Sequence, residues 1–164
     1  MNIERSRRAL MAGGASMLAV GLAGCLGTTP AEQWDSDVTL AVSDAHQFSA
    51  PGCSCCEKYA SYFQEHLDTR LAASVPDDIT VAKDQNGIPE ELQSFHTLVL
   101  DDYVVEGHVP VEVIAKLIDE NGAIDGVALP GMPAGSPGMG GVKDGSFTFF
   151  VIGGGRTGEV YAQL

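Results

Sequence analysis

The sequence predicts an α/β fold: a sandwich built on a mixed sheet and closed by a C-terminal β-hairpin. Three observations predict it. Runs with two-residue apolar alternation and runs with helical spacing follow one another along the chain. A loop carrying three cysteines stands between the first predicted strand and the first predicted helix. Near the C-terminus, two strand-like runs flank the turn Gly153-Gly154-Gly155.

The elements follow in order. Val38 to Val42 reads as a strand, because Val38, Leu40 and Val42 alternate with Thr39 and Ala41. Ser49-Ala50-Pro51-Gly52 is a loop signal. Cys55 to about Leu71 reads as a helix with Tyr59, Tyr62, Phe63, His66 and Leu67 near one face. Asp77 to Val81 reads as a turn and short strand. Pro89-Glu90-Glu91-Leu92-Gln93 reads as a short helix, with proline in the first turn and acids at its positive end. Thr97 to Leu100 and Tyr103 to Glu106 form a hairpin through Asp101-Asp102. Pro110 opens a helix that buries Val113, Ile114, Leu117 and Ile118, and Asn121-Gly122 ends it. Val127 to Gly141 is a Gly/Pro/Met loop. Ser146 to Ile152 and Glu159 to Gln163 are the closing strands. This order matches a thioredoxin-like sandwich, in which reactive cysteines sit where the first strand meets the first helix.

The chain has 164 residues, 45% of them hydrophobic, enough for one core. Its 20 glycines and 8 prolines suit a loop-rich domain better than a helical bundle. The net charge is −13. Setting aside Arg5, Arg7, Arg8 and Glu4 leaves 6 basic and 21 acidic residues, or −15 from Cys25 onward. That balance argues against nucleic acid as a partner, since phosphate needs basic patches. The acids are scattered, as on a surface kept soluble in high salt.

Residues 1–24 read as an export signal. Ser6-Arg7-Arg8-Ala9-Leu10 is a twin-arginine pattern, followed by small and apolar residues up to Gly24. That stretch is short and weakly apolar for a membrane span. It ends in Leu22-Ala23-Gly24-Cys25, which resembles a lipobox, so Cys25 is the expected lipidation site. Residues 25–37 then form a tether, and 38–164 the folded domain. The expected location is the outer face of the cell membrane, held there by lipid on Cys25.

The remaining cysteines, Cys53, Cys55 and Cys56, lie within four positions. At a helix start, unpaired N–H groups and the positive end of the dipole stabilise thiolates. Soft thiolates select Cu(I), zinc or iron–sulfur chemistry. Adjacent Cys55 and Cys56 diverge, which suits bridging of several Cu(I) ions better than one tetrahedral ion. A structural zinc site would show two separated Cys/His pairs. Copper(I), multinuclear by this logic, is therefore favoured over zinc. Two alternatives stay open: a redox-active Cys53/Cys56 pair and a structural disulfide, each leaving Cys55 odd.

Four further residues are candidate ligands: His96 at the entry to a strand, His108 just before a helix, and Met132 and Met139 in the rigid loop. Loop thioethers beside thiolates suit Cu(I). His46 is a weaker candidate, and His66 is read as core or surface.

The CxCC cluster, Ile88 to Thr97 ("IPEELQSFHT"), Tyr103 to Pro110 ("YVVEGHVP") and Val127 to Met139 ("VALPGMPAGSPGM") together resemble the CopG-like family of exported, thioredoxin-like copper-resistance proteins. The likeness spans Val38 to Leu164. It implies thiolates bridging a small Cu(I) cluster with His and Met nearby, and a role in copper redox interconversion or handling; copper sequestration at the cell surface is the alternative to redox cycling, and a copper chaperone or exporter is the candidate partner. Whether the chain is an enzyme is left between a copper oxidoreductase, a thiol–disulfide oxidoreductase and a simple binding protein. Two positions depart from the family pattern. Phe95 stands where the family has a cysteine before the histidine, and Tyr59 stands where it has tryptophan.

Overall fold

The computed structural model describes residues 34–164. The expected signal, most of the tether and Cys25 lie outside the described residues. Strand β1 is Ala45–Ser49, helix α1 Ser54–Gln64, β2 Ala72–Ser74, α2 Ile79–Gln85, β3 His96–Leu100 and β4 Tyr103–Glu106. Helix α3 is Val111–Glu120, followed by β5 Gly126–Ala128, β6 Thr148–Ile152 and β7 Val160–Gln163. A 3₁₀ turn over Glu90–Leu92 precedes β3. The strands form one mixed seven-stranded sheet in the order β2-β1-β3-β4-β5-β6-β7. β1 runs parallel to β2 and β4 parallel to β5; the other pairs are antiparallel. No described helix is long and apolar enough to cross a membrane.

The β3–β4 hairpin, the Pro110 helix start, the Asn121 helix end and the closing hairpin stand as the sequence predicts. Pro110 precedes α3, and Asn121 leaves it with φ +42, in the left-handed region asparagine tolerates. Strands β2 and β5 were not expected, β5 taking the first residues of the loop read from Val127, and three other assignments differ. Val38 to Val42 is extended but pairs only as an isolated bridge between Leu40 and Leu67. The true first strand is β1, whose inward positions are Ala45, Gln47 and Ser49. Two of those are polar, so the apolar alternation that marks a strand is missing. Ile79-Thr80-Val81 is β-branched and reads as strand, yet the Asp78 carboxylate accepts from Thr80 N at 2.9 Å and caps α2. Helix α1 ends at Gln64, with His66 and Leu67 buried in the turn beyond it.

Alternation along the strands splits the burial between two faces. One face carries the main core: Tyr59 and Phe63 from α1, Ile114 and Leu117 from α3, and Leu98, Leu100, Val105 and Val127 from the sheet. The other face carries a smaller cluster of Ile88, Leu92, Val104, Ala128 and Ile152. α2 covers this second face and places Lys83 against Thr97 and Glu106. Trp34, at the start of the described chain, packs into the main core, donates to Gly135 O at 2.6 Å and stacks on Phe147.

Candidate metal centre

Cys53 lies just before α1 and caps it: its sulfur accepts from Cys56 N at 3.3 Å. The first turn then carries Cys55, half-buried, and Cys56, fully buried. The three sulfurs lie within 4.8 Å of one another, the one group of three or more Cys, His, Asp or Glu donors so gathered among the described residues. Cys53 and Cys56 are joined as a disulfide, and Cys55 is free, its sulfur 3.4 Å from that of Cys53. The backbone around them is well fixed. Ser49 pairs with His96 across β1 and β3, and Ala50 N donates to Phe95 O at 2.8 Å. The Cys56 sulfur lies 3.6 Å from that same Phe95 oxygen. Gln47, buried on β1, donates to Cys56 O at 2.9 Å and holds the helix start against the sheet.

His96 and His108 come together on the same side of the sheet as α1. Their rings are 4.7 Å apart between centres, nearly perpendicular, and both residues are fully buried. The Tyr59 ring forms a wall to both, 4.5 Å from His96 and 5.3 Å from His108. The Tyr59 hydroxyl is engaged elsewhere, donating to Val109 O at 2.8 Å. His108 reaches this face because of Gly107. In a continued strand it would share the face of Glu106, two residues before it. Gly107 has φ +80, and a Cβ there would meet Leu129 O at 2.4 Å, so only glycine makes the turn.

His108 Nδ1 lies 2.6 Å from Pro137 O; a carbonyl only accepts, so Nδ1 carries the hydrogen. Nε2 of the neutral ring is then a bare lone pair. Among the described residues, that nitrogen and both ring nitrogens of His96 are buried without a well-aligned hydrogen bond, as are Ser94 Oγ and Gln47 Oε1. Burial holds the His96 pKa well below its usual value, with the neighbouring His108 and Lys83 adding to the effect and the nearby Gly107 backbone opposing it. Burial also lowers that of His108, against the opposing bond to Pro137. Both rings are neutral near pH 7, the state in which imidazole binds metal.

The Gly/Pro/Met loop crosses the start of α1. Gly138 has φ +76, and a Cβ there would lie 2.6 Å from Tyr59 N and 3.1 Å from Cys55 O. Met139 follows it directly and lines a groove along α1 with Lys58 and Tyr62. Met132 is half-buried at a left-handed position, φ +45, and lines neither this groove nor the one beside Cys53. His46 lies on the opposite face of β1 from Gln47, bonded to Ser74 Oγ at 2.9 Å. His66 is buried, with Nδ1 2.9 Å from Val38 O.

Sequence reasoning missed the polar cluster behind the histidines. Lys83, 2% exposed, and Glu106, fully buried, form an ion pair. Thr97 Oγ1 donates to Glu106 Oε2 at 2.6 Å, and Ser94 N also donates to that carboxylate. Burial pushes the Glu106 carboxyl up, while Lys83, Thr97 and Ser94 pull it down. The signal available in sequence was slight: a lysine inside an otherwise apolar helix face, and a glutamate ending an apolar strand.

A family described as a protein of unknown function, DUF411, matches residues 92–139, the stretch that holds both histidines and both methionines. Two solved structures, forms 1 and 2 of the copper resistance protein CopG, superpose with a TM-score of 0.67 at 30% identity. Each match covers 77% of this chain and 98% of the other. No curated protein matches the chain.

Proposed function

This chain belongs to the family of CopG copper-resistance proteins, and from that membership we propose that it binds copper(I) through the thiolates of Cys53, Cys55 and Cys56. The observation that carries the reading is the gathering of three sulfurs within 4.8 Å at a helix start. Soft thiolates suit Cu(I), and the divergence of Cys55 from Cys56 suits bridging of more than one ion. Met139, on the loop that crosses Cys55, and the histidines on the same side of the sheet are the supporting donors; Met132 is the weaker of the two methionines. The strand order β2-β1-β3-β4, with β1 parallel to β2 and the hairpin antiparallel, is consistent with a thioredoxin-like core extended by β5 to β7.

The binding form is the reduced one. Closing the Cys53–Cys56 disulfide removes two thiolate ligands and releases two electrons, enough to convert two Cu(II) to two Cu(I). Reopening it takes two electrons from an external dithiol. The site can thus sequester copper or cycle it. The exported domain sits at the outer face of the membrane, held by lipid on Cys25, where a copper chaperone or exporter is its partner. A second reading, thiol–disulfide oxidoreductase, is favoured by one observation: Cys53 and Cys56 are paired, with the third thiol 3.4 Å from Cys53.

The test uses the full chain with Cys25→Ser, which leaves only the cluster thiols. Anaerobic reconstitution with Cu(I) should load copper, and Cys55→Ser should lower the copper bound per chain. Unchanged loading in Cys55→Ser contradicts the bridging cluster. Disulfide reductase activity that survives Cys55→Ser but not Cys56→Ser supports the second reading.

A further inference from the structure

We propose that Trp34 is a positioning residue: it holds the methionine loop down on α1 beside the cysteine turn. Its effect on metal rests on the copper reading above; the positioning itself does not.

The loop that carries Met132 and Met139 is built from residues that fix little by themselves. Gly131, Gly135, Gly138, Gly140 and Gly141 bring no side chain to pack, and glycine gives up more backbone freedom on ordering than any other residue. Bonds within the loop shape it without attaching it: Gly135 N donates to Gly140 O at 3.1 Å, and Met139 N to Ser136 O at 2.9 Å. Among the described residues, two side chains from outside the loop bond its backbone. One is His108, at Pro137 O. The other is Trp34, whose Nε1 donates to Gly135 O at 2.6 Å.

Trp34 is suited to the task. Its side chain is packed into the main core and stacked on Phe147, which leaves the indole N–H one direction to point. Gly135 is itself buried, so without the indole its carbonyl loses a donor where water does not replace it. The chain after Trp34 runs as a strap beside α1. Val38 O accepts from His66 Nδ1 at 2.9 Å, and Leu40 N donates to His66 O at 2.8 Å, both just beyond the helix end. Between Trp34 and these bonds the strap does not lie flat on the helix: a groove of about 730 Å³ separates Asp35 and Ser36 from Lys58 and Tyr62. Trp34 thus fixes one end of the strap and one side of the loop at once.

The other contacts of the loop lie beside the cysteines. Gly138 sits too close to Tyr59 N and Cys55 O for a Cβ, and Met139 follows it. Pro137 O accepts the hydrogen of His108 Nδ1. Lifting the loop therefore withdraws a thioether from the cysteine turn and, with it, the acceptor that fixes the His108 tautomer. Trp34 brings no soft donor of its own, so it acts through the loop.

The test uses the full chain with Cys25→Ser, alone and with Trp34→Phe or Trp34→Ala. Metal-free samples carrying ¹⁵N-labelled histidine are observed by NMR. Without the Trp34 changes, His108 should be the Nδ1–H tautomer. Trp34→Ala should mix the two tautomers, and Trp34→Phe, which keeps the stacking but lacks the N–H, should lie between. Anaerobic Cu(I) titration against a chromophoric chelator should then show affinity lowered about tenfold in Trp34→Ala, the scale of loss for groups that orient metal ligands. Ile152→Val, in the small cluster on the other face of the sheet, controls for lost stability and should change neither reading. Should Trp34→Ala misfold, Trp34→Phe compared with Ile152→Val decides. An unchanged tautomer in the Trp34 variants overturns the proposal, as does an equal change in Ile152→Val. A mixed tautomer with unchanged copper affinity overturns it too, since the loop then moves without consequence for the metal. If the parent itself binds no copper, the copper reading fails, and the metal-free tautomer alone decides whether Trp34 positions the loop.

Discussion

The β3–β4 hairpin carries buried polar groups on both faces, and the two faces are finished differently. On the α2 side, the Glu106 carboxylate is bonded by Lys83, Thr97 and the Ser94 N–H, so its charge is fully met and Ser94 Oγ alone of this cluster keeps no partner among the described residues. On the α1 side, one residue before Thr97 and two beyond Glu106, His96 and His108 are equally buried, and neither ring is closed into such a network. The residues are neighbours in sequence and share a scaffold, so the contrast is not one of depth or flexibility. A closed network fixes the hairpin ends, and an open one on the opposite face leaves donors for a guest. The same face carries the cysteine turn and the loop that bears Met139.

Four experiments bear on this contrast. The largest effect should come from the closed side. Lys83→Met leaves the buried Glu106 carboxylate without its cation and should destabilise the chain by about 3–5 kcal/mol in denaturant unfolding. The double change Lys83→Met/Glu106→Leu should recover much of that loss. If the single variant is as stable as the parent, the closed network does not anchor the hairpin.

Gly138→Ala comes next. The new Cβ meets the backbone of Tyr59 and Cys55 at a left-handed position, so a cost of about 1–3 kcal/mol is expected. Copper retention should weaken with it, because the Met139 loop lifts from α1. A thermal melt and a copper titration on the same sample read both.

Acid should act through the open side. Both histidines have folded pKa values below the ordinary 6.5, so the unfolded chain binds more protons as the pH falls through that value. Stability is fully present above about pH 6.5 and is lost below it, by about 1.4 kcal/mol per pH unit for each histidine until its folded value is reached. Unfolding curves between pH 7.5 and about 5 measure the slope, and His96→Leu should flatten it by one proton. A slope unchanged in that variant contradicts the assignment.

The smallest effect should be the stability of His96→Leu at pH 7.5. Removing two nitrogens that have no partner leaves nothing newly orphaned, so the metal-free variant should lie within about 1 kcal/mol of the parent. A loss comparable to that of Lys83→Met would mean that the His96 ring is a structural element like its neighbour.

Much of this arrangement was legible in the sequence where local chemistry decides structure. The Asp101-Asp102 turn, the Pro110 and Asn121 helix boundaries and the Gly153-Gly154-Gly155 turn each carry their own signal. The cysteine loop was legible for the same reason, since its donors lie within four residues. β1 was hidden because its inward face includes Gln47 and Ser49, whose partners come from the cysteine turn itself. α2 was hidden because the Asp78 cap outweighs the β-preference of Ile79 and Val81. The Lys83–Glu106 pair spans 23 residues and two elements, and no local pattern reports such a contact. Of the ligand set expected from sequence, three sulfurs gather at one helix start, and two imidazoles pair against Tyr59 on the same side of the sheet.

Copper held by sulfur at Cys53, Cys55 and Cys56 has a direct spectroscopic signature. Copper K-edge X-ray absorption on the anaerobically loaded, reduced chain with Cys25→Ser reads the atoms bound to the metal. The expected nearest neighbours are mainly sulfur, and they are lost when Cys53 and Cys56 are oxidised to the disulfide before loading. A spectrum with nitrogen and oxygen neighbours only, unchanged by that oxidation, would contradict it.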